Sequence, residues 1–399
     1  MERSLISIKR KMKFLIDKIK WGERQGYYFY LRNLESSCGP RVKVKGQIML
    51  MFGSNNYLGL TFHPKVKEAA IKAIKKYGVG SGGVRLLSGT YKLHEELEEE
   101  LARFKGAEAA IVFSTGFMTN AGAIPSLVTE ESVIINDEKN HASIVDGCKA
   151  SKAQIRVFVH NNMRKLEEIL RYYPEDCDKL IVVDSVYSMD GDIANLPEIY
   201  KLAKKYKARI MIDEAHATGV LGRTGRGAPE YFNLMGKIDI IMGTLSKALG
   251  GLGGFIASKK EVITYLKHAA REFIFSTSLP PPVVAGVIAA IKVIRDEPYL
   301  LAHLWRNIKY MKEGLKNMGY DIGNSQSAII PIIIRDEINT YKMAQALHKA
   351  GVFVNPIIFP AVKKNESRIR VQVMALHTIT ELQRALDLFK KAGKKLGII

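Results

Sequence analysis

A chain of 399 residues, 47% hydrophobic and 25% charged, is ordinary in composition for a globular protein and long enough for about two to three domain-sized units. No apolar run approaches the roughly 20 residues that span a bilayer. Cys38, Cys148 and Cys177 are scattered and form no Cys-x-x-Cys pair, which excludes a zinc ribbon or a disulfide scaffold and predicts a reducing, cytoplasmic setting. The formal net charge of +20 would suit nucleic acid, an anionic membrane surface or anionic substrates. The lysines are spread along the whole chain with no finger, RRM or helix-turn-helix pattern, so nucleic acid is not expected as a partner.

Residues 1–21 place Leu5, Ile8, Met12, Leu15 and Ile19 at helical spacing with lysines and arginines opposite, which predicts a basic amphipathic helix. Such a helix can lie on a membrane surface, but docking on the body or on a second subunit is the reading preferred. No apolar segment with a small-residue cleavage site marks a secretory signal. Residues 1–50 are accordingly read as an N-terminal helix and extension. "GVGSGG" at 78–83 matches G-x-G-x-x-G, yet it follows the helical stretch "VKEAAIKAIKKY", whereas the dinucleotide fingerprint follows a strand and opens a helix. It reads as a glycine-rich loop where backbone approaches a ligand or a neighbouring subunit.

Beyond it, β-branched apolar runs alternate with amphipathic segments. "AAIVF" ends at Phe113, "SVIIND" at Asp137, "KLIVVD" at Asp184, "RIMID" at Asp213 and "IDIIMG" at Gly243. Continuous apolar runs separated by helices predict an α/β fold with a mostly parallel sheet covered on both faces. Ligands bind beyond the carboxyl ends of such strands. Polar residues gather there at Ser114 to Gly116, Asp137 to His141, Asp184 to Ser188, Asp213 to His216 and Thr244 to Lys247. "SLPPP" at 278–282 breaks the pattern. A large domain over 51–282 and a smaller C-terminal α+β domain over 283–399 are therefore expected.

Lys247 stands alone among small residues in "GTLSKALGGLGG". A buried ammonium without a partner loses basicity and becomes an amine able to form a Schiff base. The aldehyde that suits a site with an acid, a ring-stacking group and a phosphate cradle is pyridoxal 5'-phosphate. Asp213, at a strand end one crossover unit before Lys247, is placed to hold a pyridine nitrogen protonated. "FSTGF" at 113–117 offers helix-start amides to a phosphate.

These residues carry a resemblance. "DEAHATGVLGRTGRG" at 213–227, "GTLSKALGGLGG" at 243–254, "NHASIVDG" at 140–147, "SMDGDIANLPEI" at 188–199 and "FIFSTSLPP" at 273–281 resemble the α-oxoamine synthases, PLP-dependent transferases of fold type I with the aspartate aminotransferase-like architecture. The resemblance runs from "MFGSNNYLGL" at 51–60 nearly to the last residue. It implies Lys247 as the lysine that bonds the cofactor aldehyde and then takes the α-proton of the amino acid. It implies Asp213 at the ring nitrogen, His141 stacked on the ring, and His216 and Ser188 near the ring oxygen. Gly116, Phe117 and Thr244 match phosphate contacts. Ser276 and Thr277 match phosphate contacts supplied by the other subunit of a homodimer. Arg370 matches the clamp on the amino-acid carboxylate, and Asn55 an asparagine near the substrate. No metal is implied. The implied reaction joins a small amino acid (alanine, glycine or serine) to an acyl-CoA, expels CoA and, in most members, loses carbon dioxide.

The subfamily divides the motifs. "GSGGVRLLSGTYKLHEELEE" at 80–99 resembles 8-amino-7-oxononanoate synthases and glycine acetyltransferases, with Val84 closer to the latter. "WGERQGYYFYLRNLE" at 21–35 and "FVNPIIFPAVKKNESRIR" at 353–370 resemble serine palmitoyltransferase-like members. A short-acyl synthase is the reading preferred. An aminotransferase shares the fold and the lysine, but the synthase motifs argue against it, and a non-catalytic subunit would lack Lys247.

Overall fold

The computed structural model describes residues 12–24 and 31–399. Leu5 and Ile8 of the amphipathic pattern lie outside the described residues. The helix Lys13–Arg24 does form, with Phe14, Leu15, Ile19 and Trp21 all exposed.

Seven strands make the central sheet: β3 (Ala109–Phe113), β4 (Val133–Asp137), β5 (Gln154–Phe158), β6 (Lys179–Asp184), β7 (Arg209–Asp213), β8 (Ile240–Thr244) and β9 (Gly254–Ser258), when numbered after β1 (Arg41–Val44) and β2 (Gln47–Met51). Their order is β3-β9-β8-β7-β6-β4-β5. All pairings are parallel except those of β9, which runs antiparallel to both β3 and β8. Side chains alternate between two cores as the period of two demands. Leu180, Val182, Met211 and Met242 enter one, while Ile181, Val183, Ile212 and Ile241 enter the other. Each such fully buried aliphatic side chain contributes roughly 1.5–3 kcal/mol, so the register of this sheet is fixed from both faces.

Two expectations need amendment. β5 and β9 are absent from the apolar runs read in the sequence. β5 is an edge strand with Gln154, Arg156 and Val157 exposed, so it never needed a continuous apolar run. β9 opens at Gly254, immediately after the glycines that follow Lys247. Those glycines serve close packing. A Cβ on Gly250 would sit 2.7 Å from the Thr61 amide, and one on Gly254 would sit 2.7 Å from Gly116 Cα.

Two three-stranded sheets complete the fold. β10 (Ile329–Arg335) and β12 (Asn355–Ile357) flank β13 (Ser367–Gln372) in antiparallel pairing. β2 pairs with β1 and, in parallel, with β11 (Val352–Phe353). The strands within residues 41–51 thus join a strand from the C-terminal part of the chain. Among the described residues no helix is long and apolar enough to cross a membrane.

Candidate active site

The carboxyl ends of β4, β6, β7 and β8 lie along one edge of the sheet and end in Asp137, Asp184, Asp213 and Thr244; Asp184 and Asp213 are register partners. Above them lies a cavity of about 260 Å³. Gly116, Phe117, His141, Ser188, Asp213, His216, Thr244 and Lys247 all line it, joined by Thr115, Ser143, Asp184 and Ser246. Eight of the twelve residues expected from the sequence are therefore brought to one surface.

Lys247 sits in the tight connection between β8 and β9, closed by Leu245 N–H donating to the Gly253 carbonyl at 2.9 Å. Its Nζ lies 3.0 Å from His216 Nε2, and His216 Nδ1 lies 2.7 Å from the Tyr57 hydroxyl. Burial pulls the Lys247 ammonium down to about 8; Asp213 opposes the shift and Arg370 adds to it. His216 is held well below its ordinary range by burial and by the cations of Lys247 and Arg370, so it is neutral. Burial pushes Tyr57 up to about 12, which keeps its phenol protonated.

Asp213 is anchored on both oxygens: Asn120 Nδ2 donates to Oδ2 at 2.8 Å, and the Ala215 N–H donates to Oδ1 at 2.8 Å. His141 caps the helix Ala142–Ala150, with Nδ1 accepting from the Ser143 amide. That bond leaves Nδ1 as an acceptor and the ring neutral, in line with a basicity lowered chiefly by burial. The His141 N–H donates to Asp184 Oδ2 at 2.7 Å. Burial and the neighbouring Asp213 raise Asp184 well above the usual carboxylate range.

The residues present fit pyridoxal phosphate. Thr115 caps the helix Gly116–Ser126 by accepting from Met118 N–H, while the amides of Gly116 and Phe117 lie at the helix start, where no intrahelical carbonyl can reach them. A Cβ on Gly116 would come within 2.9 Å of Thr244 Oγ1, so the cradle needs glycine there. An anion is favoured at such a helix start. A weakly basic buried lysine and an anchored carboxylate face the same cavity.

Arg370 and Asn55 adjoin this cavity rather than line it. Arg370 Nε donates to the Ser188 carbonyl at 2.6 Å and NH1 to Asn55 Oδ1 at 3.2 Å. Its neighbour on the same face of β13, Arg368, is neutralised by Asp190 and Glu366, at 2.7 and 3.4 Å. Arg370 is equally buried yet meets no carboxylate among the described residues. A buried guanidinium without its own anion is a site for one. Ser276 and Thr277 are not brought to the cavity of their own chain. Ser276 lines a small neighbouring cleft with Ser114, and Thr277 is exposed with its carbonyl accepting from Ser114 Oγ at 2.6 Å.

Sequence reasoning missed Tyr57, Asn120 and a role for Asp184. Asn120 lies one turn beyond Gly116 on the same helix, a spacing that could have been read. Tyr57 reaches His216 across 159 positions of sequence, and nothing local signals it.

The family model for aminotransferase class I and II matches residues 47–389. The chain is 48% identical over 387 residues to the 8-amino-7-oxononanoate synthase of Thermoanaerobacter pseudethanolicus, covering 97% of this chain and 98% of that one. It is 47% identical over 369 residues to 8-amino-7-oxononanoate synthase 1 of Bacillus subtilis, covering 92% and 94% of the two chains. Among solved structures it is similar to a serine palmitoyltransferase from S. paucimobilis with bound PLP, with TM-score 0.94 and 36% identity over 98% of this chain and 99% of that one. An 8-amino-7-oxononanoate synthase from Francisella tularensis matches with TM-score 0.76 and 28% identity over 88% and 99% of the two chains.

Proposed function

The chain belongs to the aminotransferase class I and II family and, within it, to the PLP-dependent α-oxoamine synthases; from that premise we propose that it makes 8-amino-7-oxononanoate. In that product the amino carbon and its methyl have the connectivity of decarboxylated alanine. The other seven carbons, with a carboxylate at the far end, have that of a dicarboxylic acyl thioester such as pimeloyl-CoA. The observation that carries the amino-acid half is Arg370, a buried guanidinium with no carboxylate of its own among the described residues.

Pyridoxal phosphate, when bound, supplies the electron sink that lets the α-carbon of the amino acid lose a proton. Lys247, Asp213 and the Gly116 helix start would hold it. Arg370 clamps the alanine carboxylate, with Asn55 and the Ser188 carbonyl fixing the guanidinium plane. Lys247 Nζ takes the α-proton; its basicity of about 8 suits both capture and return near neutral pH. Neutral His216, backed by Tyr57, accepts a hydrogen bond from Lys247 and fixes its position. The new bond joins the amino-acid α-carbon to the thioester carbonyl carbon and the CoA thiolate leaves; carbon dioxide then leaves from the carboxylate, and Lys247 returns a proton to the α-carbon.

A homodimer is part of this reading. The isolated bridge Val84–Thr277 sets the loop carrying Leu87 beside Phe275. Both side chains are exposed, at 85% and 69%, as is Phe117 at the phosphate cradle. Apolar surface beside an incomplete phosphate site fits a second copy, whose Ser276 and Thr277 would finish it. A large domain over 51–282 with a small one over 283–399, and a cytoplasmic setting, belong to the same proposal.

A serine palmitoyltransferase-like activity is the second reading, favoured by the closer structural likeness. Free-thiol release by the cofactor-loaded protein, over glycine, alanine and serine against acetyl-, pimeloyl- and palmitoyl-CoA, decides. Alanine with pimeloyl-CoA should release thiol fastest. Serine with palmitoyl-CoA as the best pair would replace this reading with the second, and no release from any pair would overturn both.

A further inference from the structure

His160 follows the edge strand β5 and does not line the cavity. Its Nδ1 lies 3.0 Å from Asp137 Oδ1 and its Nε2 lies 2.7 Å from Asp192 Oδ2, while its ring stands edge-on to Tyr187 with centroids 4.3 Å apart. A neutral imidazole has one N–H and would turn a lone pair on one of these carboxylates; two facing carboxylates require two donors. Asp137 already accepts the Lys139 amide on Oδ1 and the Asn161 amide on Oδ2, as an ionised carboxylate does.

The two carboxylates belong to the two turns that build the site. Asp137 ends β4 and opens the turn to His141, where its carbonyl accepts from Asn140 N–H at 3.1 Å. Asp192 closes the turn 187–192: its carbonyl accepts from Tyr187 N–H at 3.1 Å, and Gly191 N–H donates to the Tyr187 carbonyl at 2.8 Å. The tip of that turn is Ser188, whose carbonyl orients Arg370. Lys139 to Asp190, at 3.1 Å, is a second and more exposed tie between the same turns.

We propose that His160 is a positioning residue: a cation hydrogen-bonded to Asp137 and Asp192 that locks the turn presenting His141 to the turn presenting Ser188, and so sets the spacing between the ring-stacking group and the Arg370 clamp. This rests on the reading of His141 and Arg370 given above. The other titratable groups around it are Glu138, whose Oε1 accepts the His160 amide at 3.2 Å, and Tyr187, whose phenol burial holds protonated and neutral. Burial works against the cation, but hydrogen bonds and charge from Asp137 and Asp192 outweigh it and hold His160 at about 9. The cation therefore persists through neutral pH, and the stability it contributes is full below about 6.5 and is lost as pH rises through about 9. Loss of the proton leaves two carboxylates facing across one donor.

Two measurements that need no turnover test it. In nuclear magnetic resonance of the histidine-labelled cofactor-loaded protein, His160 should stay an imidazolium past pH 8, and Asp192→Asn should move its titration down by about one unit or more. In spectral titration of the bound cofactor with alanine, His160→Gln should weaken alanine binding about tenfold while cofactor content stays at the parent level. If His160→Gln does not fold, the Asp192→Asn titration and its alanine affinity carry the test. A His160 that titrates near the ordinary 6.5, or a folded His160→Gln that binds alanine within about twofold of the parent, would overturn the proposal. Because neither readout uses an acyl donor, a wrong acyl assignment would leave both intact.

Discussion

Lys247 Nζ, 3.0 Å from a neutral His216 and close to the Arg370 cation, is an amine rather than an ammonium in a useful share of molecules at neutral pH. At a basicity of about 8, roughly one molecule in ten carries the free amine at pH 7, against fewer than about one in a thousand for an ordinary lysine. Capture of pyridoxal phosphate by the apoprotein, followed by absorbance, should therefore speed up as pH rises through about 8. Removing the Arg370 charge with Arg370→Met should raise the Lys247 basicity and move that midpoint to higher pH, since a nearby cation disfavours the ammonium. A midpoint unmoved by the substitution would detach Arg370 from the site. The same variant should raise KM for the amino acid about 10- to 100-fold, the loss expected for a charge-assisted pair. Arg370→Lys should restore only part of it, because an ammonium cannot reproduce the planar fork. These residues were legible because each stands at a strand end or within a long motif. Tyr57 and His160 were not, because their roles come from partners that only folding brings near.

Elements hold these residues in place through buried charge as well as apolar packing. Lys105, at the end of the helix Lys92–Lys105, donates to Glu214 at 3.1 Å, to Thr218 at 2.8 Å and to the Arg226 carbonyl at 2.7 Å. Glu214 also accepts the Ala228 amide and directly follows Asp213. The pair ties the loop after β7 to the end of the helix Lys92–Lys105. Lys105→Met strands a buried carboxylate, and chemical denaturation should show a loss of about 3–5 kcal/mol. Gly116→Ala tests the cradle at the same scale. Its Cβ meets the Thr244 side chain, so cofactor affinity should fall at least about tenfold while the melting temperature changes little. The parallel strands were readable because burial on both faces leaves unbroken apolar runs. β5 escaped because it lies at the edge with exposed Gln154 and Arg156, and β9 because its start is dictated by Gly253 packing on Leu279 and the Phe113 carbonyl and Gly254 packing on Gly116.

For the whole molecule, the +20 charge bears on the acyl donor and the proposed second subunit bears on the phosphate site. Attraction of a polyanionic CoA thioester to a basic surface is screened by salt, so KM for the acyl-CoA should rise with ionic strength while KM for alanine does not. If Ser276 and Thr277 serve the partner's site, Lys247→Ala and a Ser276→Ala/Thr277→Ala variant should complement each other when refolded together. Random pairing restores about a quarter of parent activity, because each mixed dimer holds one intact site. No recovery on mixing would place the pair in its own chain's site or in none. In the sequence, the N-terminal helix and the glycine-rich loop at 78–83 allowed a second copy, but the residues it would contribute came only from the resemblance.

The proposed reaction is a decarboxylating condensation of alanine with a dicarboxylic acyl thioester. Carboxyl-labelled alanine and pimeloyl-CoA are given to the cofactor-loaded protein and to Lys247→Ala, and the products are followed by mass spectrometry. The parent protein should release labelled carbon dioxide and free thiol in equal amounts and form 8-amino-7-oxononanoate, and the variant should do none of these. Thiol released without labelled carbon dioxide, or product formed at the parent rate without Lys247, would rule that reaction out.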